Sequence, residues 1–282
     1  MDAAELVDQM SPSKLDLWEK CPQAWAYRYL HRLRGPKGPA QALGNAVDAV
    51  ANAVYWHKLQ TRETASADDA AERFAEWHDL EAGTVETWDD DEPRGAQLDR
   101  GVRAVRHWRD LVAVRVQPAT EPQVRLEFTA DSGQAEQDAA AGIGSTFRVV
   151  TITDLVADVP TAGGGQARVV VDHKASGKRW NEADALRSSQ APCYRLATGV
   201  ARFQWHVLRT DLVRPQTLVV ATETTDTMAQ HLVHRMALAR RGIAMALRTG
   251  DWHPRRNQTL CTRRWCPHWR ECERDHGGRV TL

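Results

Sequence analysis

Apolar positions recur along the chain first at helical spacing, then at a spacing of two, then at helical spacing again. Leu15, Trp18, Trp25, Tyr29 and Leu30 share one helical face behind Ser11-Pro12-Ser13, a serine cap with proline in the first turn. Cys21-Pro22 interrupts that face and predicts a break or kink. After a turn-rich loop from Gly35 to Pro39, the spacing of Ala46, Val47, Val50 and Val54 predicts a helix over Leu43–Leu59, with Asp48 near its start. Asp68–Ala82 reads as an acidic helix. Leu98–Val112 reads as another, with Leu98, Val102, Val105 and Val112 inward and Arg103, Arg106 and Arg109 in a basic row.

From Val124 the period becomes two. Val124, Leu126 and Phe128 alternate with Arg125 and Glu127, the pattern of a half-buried strand. Asp131–Ser145 is polar and rich in glycine and alanine, so it reads as a loop. Phe147–Val159 and Ala167–Lys174 form two strands joined by the glycine-rich turn Thr161–Gln166, with Asp154 in the middle of the first. Asn181–Gly199 reads as a helix that sets Gln190 and Tyr194 on one face. Two further strands, Phe203–Arg209 and Thr217–Thr222, precede a long helix over Thr225–Arg248 and a tail, Asp251–Leu282, holding three of the five cysteines. The expected architecture is α/β, a small mixed sheet flanked by helices. Residues 1–120 form a helical region, 121–250 the sheet-bearing core, and 251–282 a cysteine-bearing tail.

Composition narrows this little: 42% hydrophobic and 26% charged residues are those of a globular protein without a membrane partner. Net charge is zero, but its distribution is uneven. Glu63–Glu92 carries twelve acids and one base, whereas Arg235–Arg274 carries ten arginines and three acids, a stretch suited to phosphates. The N-terminus bears Asp2 and Glu5 in place of a long apolar run, which argues against a secretory leader. No window reaches the length of a membrane span. Five cysteines, an odd number, fit a reducing cytoplasm better than a secreted disulfide scaffold.

The chemistry concentrates at Val169–Lys174. Three valines of a buried strand run into Asp172-His173-Lys174, and residues two apart on a strand share a face, roughly 6–7 Å apart. Asp172 and Lys174 are then either an ion pair at a sheet end or part of a site. Asp154, on the neighbouring antiparallel strand, lies within reach of Asp172 if the register suits, and Glu127 adds a further acid on the sheet. Crowded carboxylates repel, and a hard divalent cation such as Mg²⁺ or Mn²⁺ relieves them. Such an ion can orient water and neutralise charge on a phosphodiester.

Thr151-Ile-Thr-Asp154 followed by Val170-Val-Asp172-His-Lys174 resembles the acid-then-Asp-x-Lys core of the PD-(D/E)xK nucleases. More narrowly, it resembles their RecB-like exonuclease branch, including the CRISPR-associated and AddB-type iron–sulfur nucleases. Ser11-Pro12-Ser13, Cys21-Pro22, Leu43-Gly44 and Gln190-Ala-Pro-Cys-Tyr194 follow in the same order, and only the interval from about Lys58 to Pro122 is unmatched. The resemblance implies a restriction-endonuclease-like core. It implies Asp154 and Asp172 as metal ligands, completed by the backbone carbonyl of His173, and Lys174 as the catalytic lysine. It places Gln190 and Tyr194 beside the site, holding substrate or lysine, and Glu127 where some members carry an additional acid. Two positions depart from the pattern. Asp48 stands where the branch has a metal-binding histidine, and Thr151 where it has a glycine. Aspartate serves a hard cation well. The alternative is a weakened site.

Thiolates in fours hold Zn²⁺ or an iron–sulfur cluster, and Cys21 with Cys261, Cys266 and Cys272 supplies four. The resemblance favours a 4Fe–4S cluster, although the spacing from Cys261 to Cys266 is two residues longer than usual, and structural Zn²⁺ stays open. Cys193 reads as a packing residue. The function implied is a metal-dependent exonuclease acting on single-stranded DNA or duplex ends. The competing readings are a DNA-binding scaffold that keeps the fold and cluster, and a zinc-stabilised module whose Asp-x-Lys is only an ion pair.

Overall fold

A computed structural model of the chain describes residues 3–86, 88, 93–211, 213–256, 261–263 and 265–280. The order begins with α1 (Ala3–Asp8), β1 (Gln9–Met10), α2 (Pro12–Lys20), α3 (Pro22–Trp25, continuing as a wide turn to Leu30), α4 (Pro39–Thr61), α5 (Ala67–Ala82) and α6 (Arg94–Leu111). Next come β2 (Gln117–Pro118), β3 (Val124–Asp131), α7 (Ala135–Ala140), β4 (Thr146–Thr153), β5 (Leu155–Pro160) and β6 (Gln166–Ser176). The chain closes with α8 (Glu182–Leu186), α9 (Gln190–Thr198), β7 (Arg202–Arg209), β8 (Gln216–Glu223), α10 (Asp226–Thr249) and α11 (Trp269–His276). This is an α/β architecture. It divides into two compact units, Met1–Pro36 with Glu127–Thr151 and Asp226–Leu282, and Lys37–Leu126 with Ile152–Thr225.

The second unit is built on a mixed five-stranded sheet of order β2-β5-β6-β7-β8. The β5–β6 and β7–β8 pairs are antiparallel and β6–β7 is parallel, so the chain must cross over between β6 and β7. Helices cover both faces, which is why β6 reads as consecutive valines rather than an alternating strand. Val169 and Val171 pack with Val50, Val54, Tyr55 and Trp108 of α4 and α6. Val170 packs on the opposite face with Ala191, Tyr194 and Trp205. Burying each of these valines contributes roughly 1.5–3 kcal/mol. Alternation then fixes the next three residues: Asp172 and Lys174 follow Val170 towards α9, and His173 follows Val171 towards α4 and α6.

Local signals position the covering helices. Ser66 and Asp69 form a reciprocal capping box at the start of α5. Gly101 of α6 lies where any Cβ would stand 2.1 Å from the Phe74 ring, so only glycine permits that approach of α5 and α6. The cationic end of the buried Lys58 donates to the carbonyls of Ala113 and Val114 at 3.1 and 2.8 Å, tying the end of α4 to the segment after α6.

In the first unit, α2 ends at Lys20, Cys21 is extended and α3 starts at Pro22, so the expected break is present. Trp25 stacks on Trp252 at 5.8 Å and meets Trp18 edge-on at 6.0 Å. The fully buried Arg240 of α10 donates to the carbonyls of Val7 and Gly144. Most of β3 and β4 belongs here, in a three-stranded sheet of order β1-β4-β3.

Three expectations are corrected. Phe147–Val159 is not one strand; it breaks at Asp154 into β4 and β5, which join different sheets. Asn181–Gly199 is not one helix; Arg187–Ser189 separates α8 from α9. Asp131–Ser145 is not only loop, because α7 buries Asp138 against Arg241 at 2.7 Å. Most of the expected acidic loop Glu86–Pro93 lies outside the described residues.

Candidate active site

Asp172 is 1% exposed, and its two carboxylate oxygens face different partners. Oδ1 accepts the Gln190 side-chain amide at 3.1 Å and the Tyr194 hydroxyl at 3.3 Å. Gln190 also donates to the Tyr194 oxygen at 3.1 Å, so the two residues, one helical turn apart on α9, brace each other. Oδ2 faces Lys174 Nζ at 2.5 Å. Gln190 and Tyr194 thus hold the carboxylate of Asp172.

Asp154 occupies the bend between β4 and β5. Its Oδ2 accepts the backbone N–H of His173 at 2.9 Å and its Oδ1 accepts the Gln123 amide at 3.3 Å. Gln123 has φ +58°, and its backbone N–H donates to the Asp154 carbonyl at 2.9 Å. A glutamine in the left-handed region is uncommon and costs of order 1–3 kcal/mol, strain that the surroundings must over-determine. Here both its backbone and its side chain grip Asp154.

The acids feel one another. Burial, then the charge of Asp154, pushes the Asp48 carboxyl up to about 7. Burial, with Asp154 again adding, pushes Asp172 up to about 6 although Lys174 pulls the other way. Burial also opposes ionisation of Asp154, but the hydrogen bonds and charge of His173 prevail and hold it below the usual carboxylate range. Burial works against the Lys174 ammonium, yet Asp172 keeps it above the ordinary lysine value. Burial and the charge of Asp172 keep the Tyr194 hydroxyl protonated, hence a donor. Asp48, Asp154, Asp172 and Lys174 therefore form one electrostatic unit in which three acids share one lysine.

The model of the PD-(D/E)XK nuclease superfamily matches residues 9–273 of the chain. The chain belongs to the PD-(D/E)XK nuclease superfamily. No curated protein matches it. Among solved structures, one described as "Crystal structure of SSO0001" aligns at 12% identity over 93% of this chain and 84% of that one, with a TM-score of 0.38.

Asp154, Asp172 and Lys174, singled out in the sequence, lie together in the second unit. The residue between the last two has a further place. The His173 ring is buried among Tyr55, Trp108 and His206, with centroids 5.5, 5.5 and 5.4 Å away, and its Nδ1 lies 3.7 Å from Asp154 Oδ2. Gln123, Tyr55 and His206 carry no motif. Only contact with Asp154 or the His173 ring reveals them.

The remaining predicted residues belong to the first unit. Glu127 lies on β3 and pairs with Arg148 at 3.8 Å. Burial, then the charge of Cys272 and Cys21, raises the Cys261 thiol. Burial and the charge of the other three push Cys266 up to about 11. Arg256 donates to Cys272 Sγ at 3.5 Å. Cys193 lies apart, buried on α9 of the second unit. Among the described residues no group of three or more His, Cys, Asp or Glu side chains is drawn together tightly enough to hold a metal ion.

Several arginines of the α6 row and of the tail have protein partners. Arg106 pairs with Asp68 at 2.7 Å, and Arg109 donates to Asp110 and to the carbonyls of Thr64 and Ala65. Arg255 donates to the Glu19 carbonyl, Arg256 to that of Cys272, and Arg263 pairs with Glu273. Arg264 lies outside the described residues. No helix among them is long and apolar enough to cross a membrane.

Proposed function

We propose that this superfamily member is a divalent-metal-dependent deoxyribonuclease of the cytoplasm, an exonuclease hydrolysing phosphodiester bonds of single-stranded DNA or duplex ends during recombination, repair or processing. The observation that carries the reading is Asp172, almost fully buried, with Lys174 at 2.5 Å and its remaining oxygen fixed by Gln190 and Tyr194. An ion pair serving stability alone has no need of Asp48 and Asp154 crowded beside it. Their donor set suits Mg²⁺ or Mn²⁺: all oxygen, Asp172 buried and Asp48 and Asp154 half-buried, and short of positive charge. Asp48, Asp154, Asp172 and the His173 carbonyl would hold the ion. When bound it supplies charge neutralisation at the phosphodiester and a lowered pKa for water. The chain's own groups do the positioning. Gln190 and Tyr194 fix the Asp172 carboxylate, the His173 N–H and Gln123 fix that of Asp154, and Lys174 Nζ offers a proton-bearing donor to charge developing on the phosphate oxygens. Loss of one such donor costs about 10²–10³ in rate.

Cys21, Cys261, Cys266 and Cys272 hold a 4Fe–4S cluster in this reading, with structural Zn²⁺ as the alternative, and place the chain in the RecB-like iron–sulfur branch. Support comes from Cys261 and Cys266, whose thiols are raised by burial and by the other cysteines of the four. Purification without oxygen, followed by Mn²⁺- or Mg²⁺-supported digestion of end-labelled single-stranded DNA, tests both. Digestion by the wild type and none by Asp172→Ala is the expected result. Equal digestion by the two removes the nuclease reading, and no digestion by either leaves the DNA-binding scaffold. A colourless protein with stoichiometric zinc removes the cluster.

A further inference from the structure

Residues 177–189 carry the chain from β6 to α9, and so from Lys174 to Gln190, the two groups on either side of Asp172. The two ends of this crossover start from the acidic site, since Lys178 follows Lys174 by four residues and Arg187 precedes Gln190 by three. It carries Lys178, Arg179 and Arg187, all exposed. Among the described residues none of the three has a carboxylate partner within ion-pair distance, in contrast to Arg106, Arg109 and Arg263. The nearby acids are occupied or turned elsewhere. Asp184 accepts the Asn181 N–H at 3.0 Å in a capping box, and Asp211, which lies beside Gly177, pairs with Arg209 at 2.6 Å. Glu182 is exposed and bonded to none of the three.

The mounting is ordered. Ser176 Oγ accepts the backbone N–H of Lys178 at 3.1 Å and the indole N–H of Trp180 at 3.0 Å. The Trp180 ring packs edge-on against Trp205 at 4.7 Å, and Lys178 Nζ lies 5.5 Å from the Trp180 centroid. Backbone order set before binding lowers the entropy lost on association. The electrostatics call for such a device. A phosphodiester brought to Asp48, Asp154 and Asp172 meets three acids and one lysine, so that locus by itself disfavours a polyanion. Affinity has to come from the flanking phosphates.

We propose that Lys178, Arg179 and Arg187 form a phosphate-binding rim that grips the backbone of a nucleic-acid strand on either side of the phosphodiester at Lys174. This rests on the nuclease reading and assigns where that site takes hold of its substrate. The probe is a fluorescently labelled single-stranded DNA oligonucleotide, with affinity measured by anisotropy in EDTA across a salt series. Lys178→Ala/Arg179→Ala/Arg187→Ala is expected to bind at least tenfold more weakly. The slope of log K against log salt should fall by about 2, since each contact on a single strand contributes about 0.7. With Mn²⁺ present the loss is read in KM rather than kcat. The charge-preserving triple Lys178→Arg/Arg179→Lys/Arg187→Lys should keep wild-type affinity and slope. Unchanged binding and slope in the alanine triple overturns the rim while leaving the nuclease reading intact. An equal loss in the charge-preserving triple also overturns it, because the effect is then on loop structure. A wild type that neither binds nor cuts DNA overturns both.

Discussion

Lys174 Nζ and Asp172 Oδ2 stand 2.5 Å apart on one face of β6, the carboxylate side chain 1% and the ammonium side chain 28% exposed. Such a pair is asymmetric: water can reach the cation, but the anion depends on its protein partners. Lys174→Met therefore strands a buried carboxylate and should cost roughly 2–4 kcal/mol at neutral pH, near the low end for breaking a buried pair. Adding Asp172→Asn should recover most of that loss while digestion stays abolished. Urea denaturation of the two single variants and the double variant closes the cycle. Strictly additive losses would mean that the two groups do not act as a pair.

Tyr194 tests orientation separately from charge. Its hydroxyl stays protonated and donates to Asp172, and Gln190 braces both. Tyr194→Phe removes the hydrogen bond to the charged Asp172 and the one accepted from Gln190, and leaves the ring packed against Phe203 at 5.8 Å. The stability loss should be about 1.5–3 kcal/mol. Activity or metal affinity should fall about 10–100-fold, the usual penalty for losing a group that orients a ligand. A titration of activity against Mn²⁺ measures this; a variant with wild-type Mn²⁺ dependence and rate would show that Gln190 alone suffices.

Much of this arrangement is written in local pattern. Helical spacing over Leu43–Leu59 and the valine run of β6 depend on burial, which periodicity reports directly, so α4 and the Asp172–Lys174 strand were legible. The same spacing that put Gln190 and Tyr194 on one face delivers both to Asp172. What periodicity could not show was Asp154 at a break. Thr153 and Leu155 are both buried, so the apolar run continues straight through a residue at which the chain leaves one sheet for another. Gln123 was invisible for a related reason: its role depends on a left-handed backbone and a partner 31 residues away, and neither leaves a compositional trace. The partners of the basic row of α6 leave no trace in its own spacing, because Asp68 and the Thr64 and Ala65 carbonyls that meet two of its members lie far along the chain.

Lys14 supplies a pH test away from the active site. It is 3% exposed, and its Nζ donates to the carbonyls of Gln9 at 2.7 Å and Leu6 at 3.3 Å, with the Tyr29 ring 5.5 Å away. Burial pushes its pKa down to about 8 from 10.5, with Glu5 opposing only in part. Below about 8 both folded and unfolded chains hold the proton, and burial of the charge penalises the fold in full. Between about 8 and 10.5 the unfolded chain still binds the proton while the folded chain has released it, so stability rises with pH across that window. The rise should be roughly 2–3 kcal/mol. Lys14→Met should remove this component, and subtracting its pH profile of denaturation free energy from that of the wild type isolates it. Parallel profiles would show that Lys14 titrates normally in the fold.

The five cysteines divide by environment, and this makes a cluster testable residue by residue. Cys193 is fully buried on α9 among Tyr194 and its neighbours, where a thiol acts as a small apolar group. Cys261 and Cys266 instead sit where burial and other cysteines raise their thiols, a field unfavourable to free thiolates. Binding a metal reverses that penalty, because the cation's charge replaces thiolate repulsion with attraction and displaces the proton. Cys21→Ser, Cys261→Ser, Cys266→Ser and Cys272→Ser should each lower iron content and bleach the visible absorbance of protein prepared without oxygen. Cys193→Ser should leave iron and colour unchanged and show only a stability cost of about 1–3 kcal/mol, from burying a hydroxyl in place of a thiol. Chelation of the iron should destabilise the wild type and have no effect on Cys266→Ser, since only the former has the metal to lose. Retention of full iron by Cys261→Ser would restrict the ligands to Cys21, Cys266 and Cys272, and would give the longer spacing before Cys266 its physical meaning.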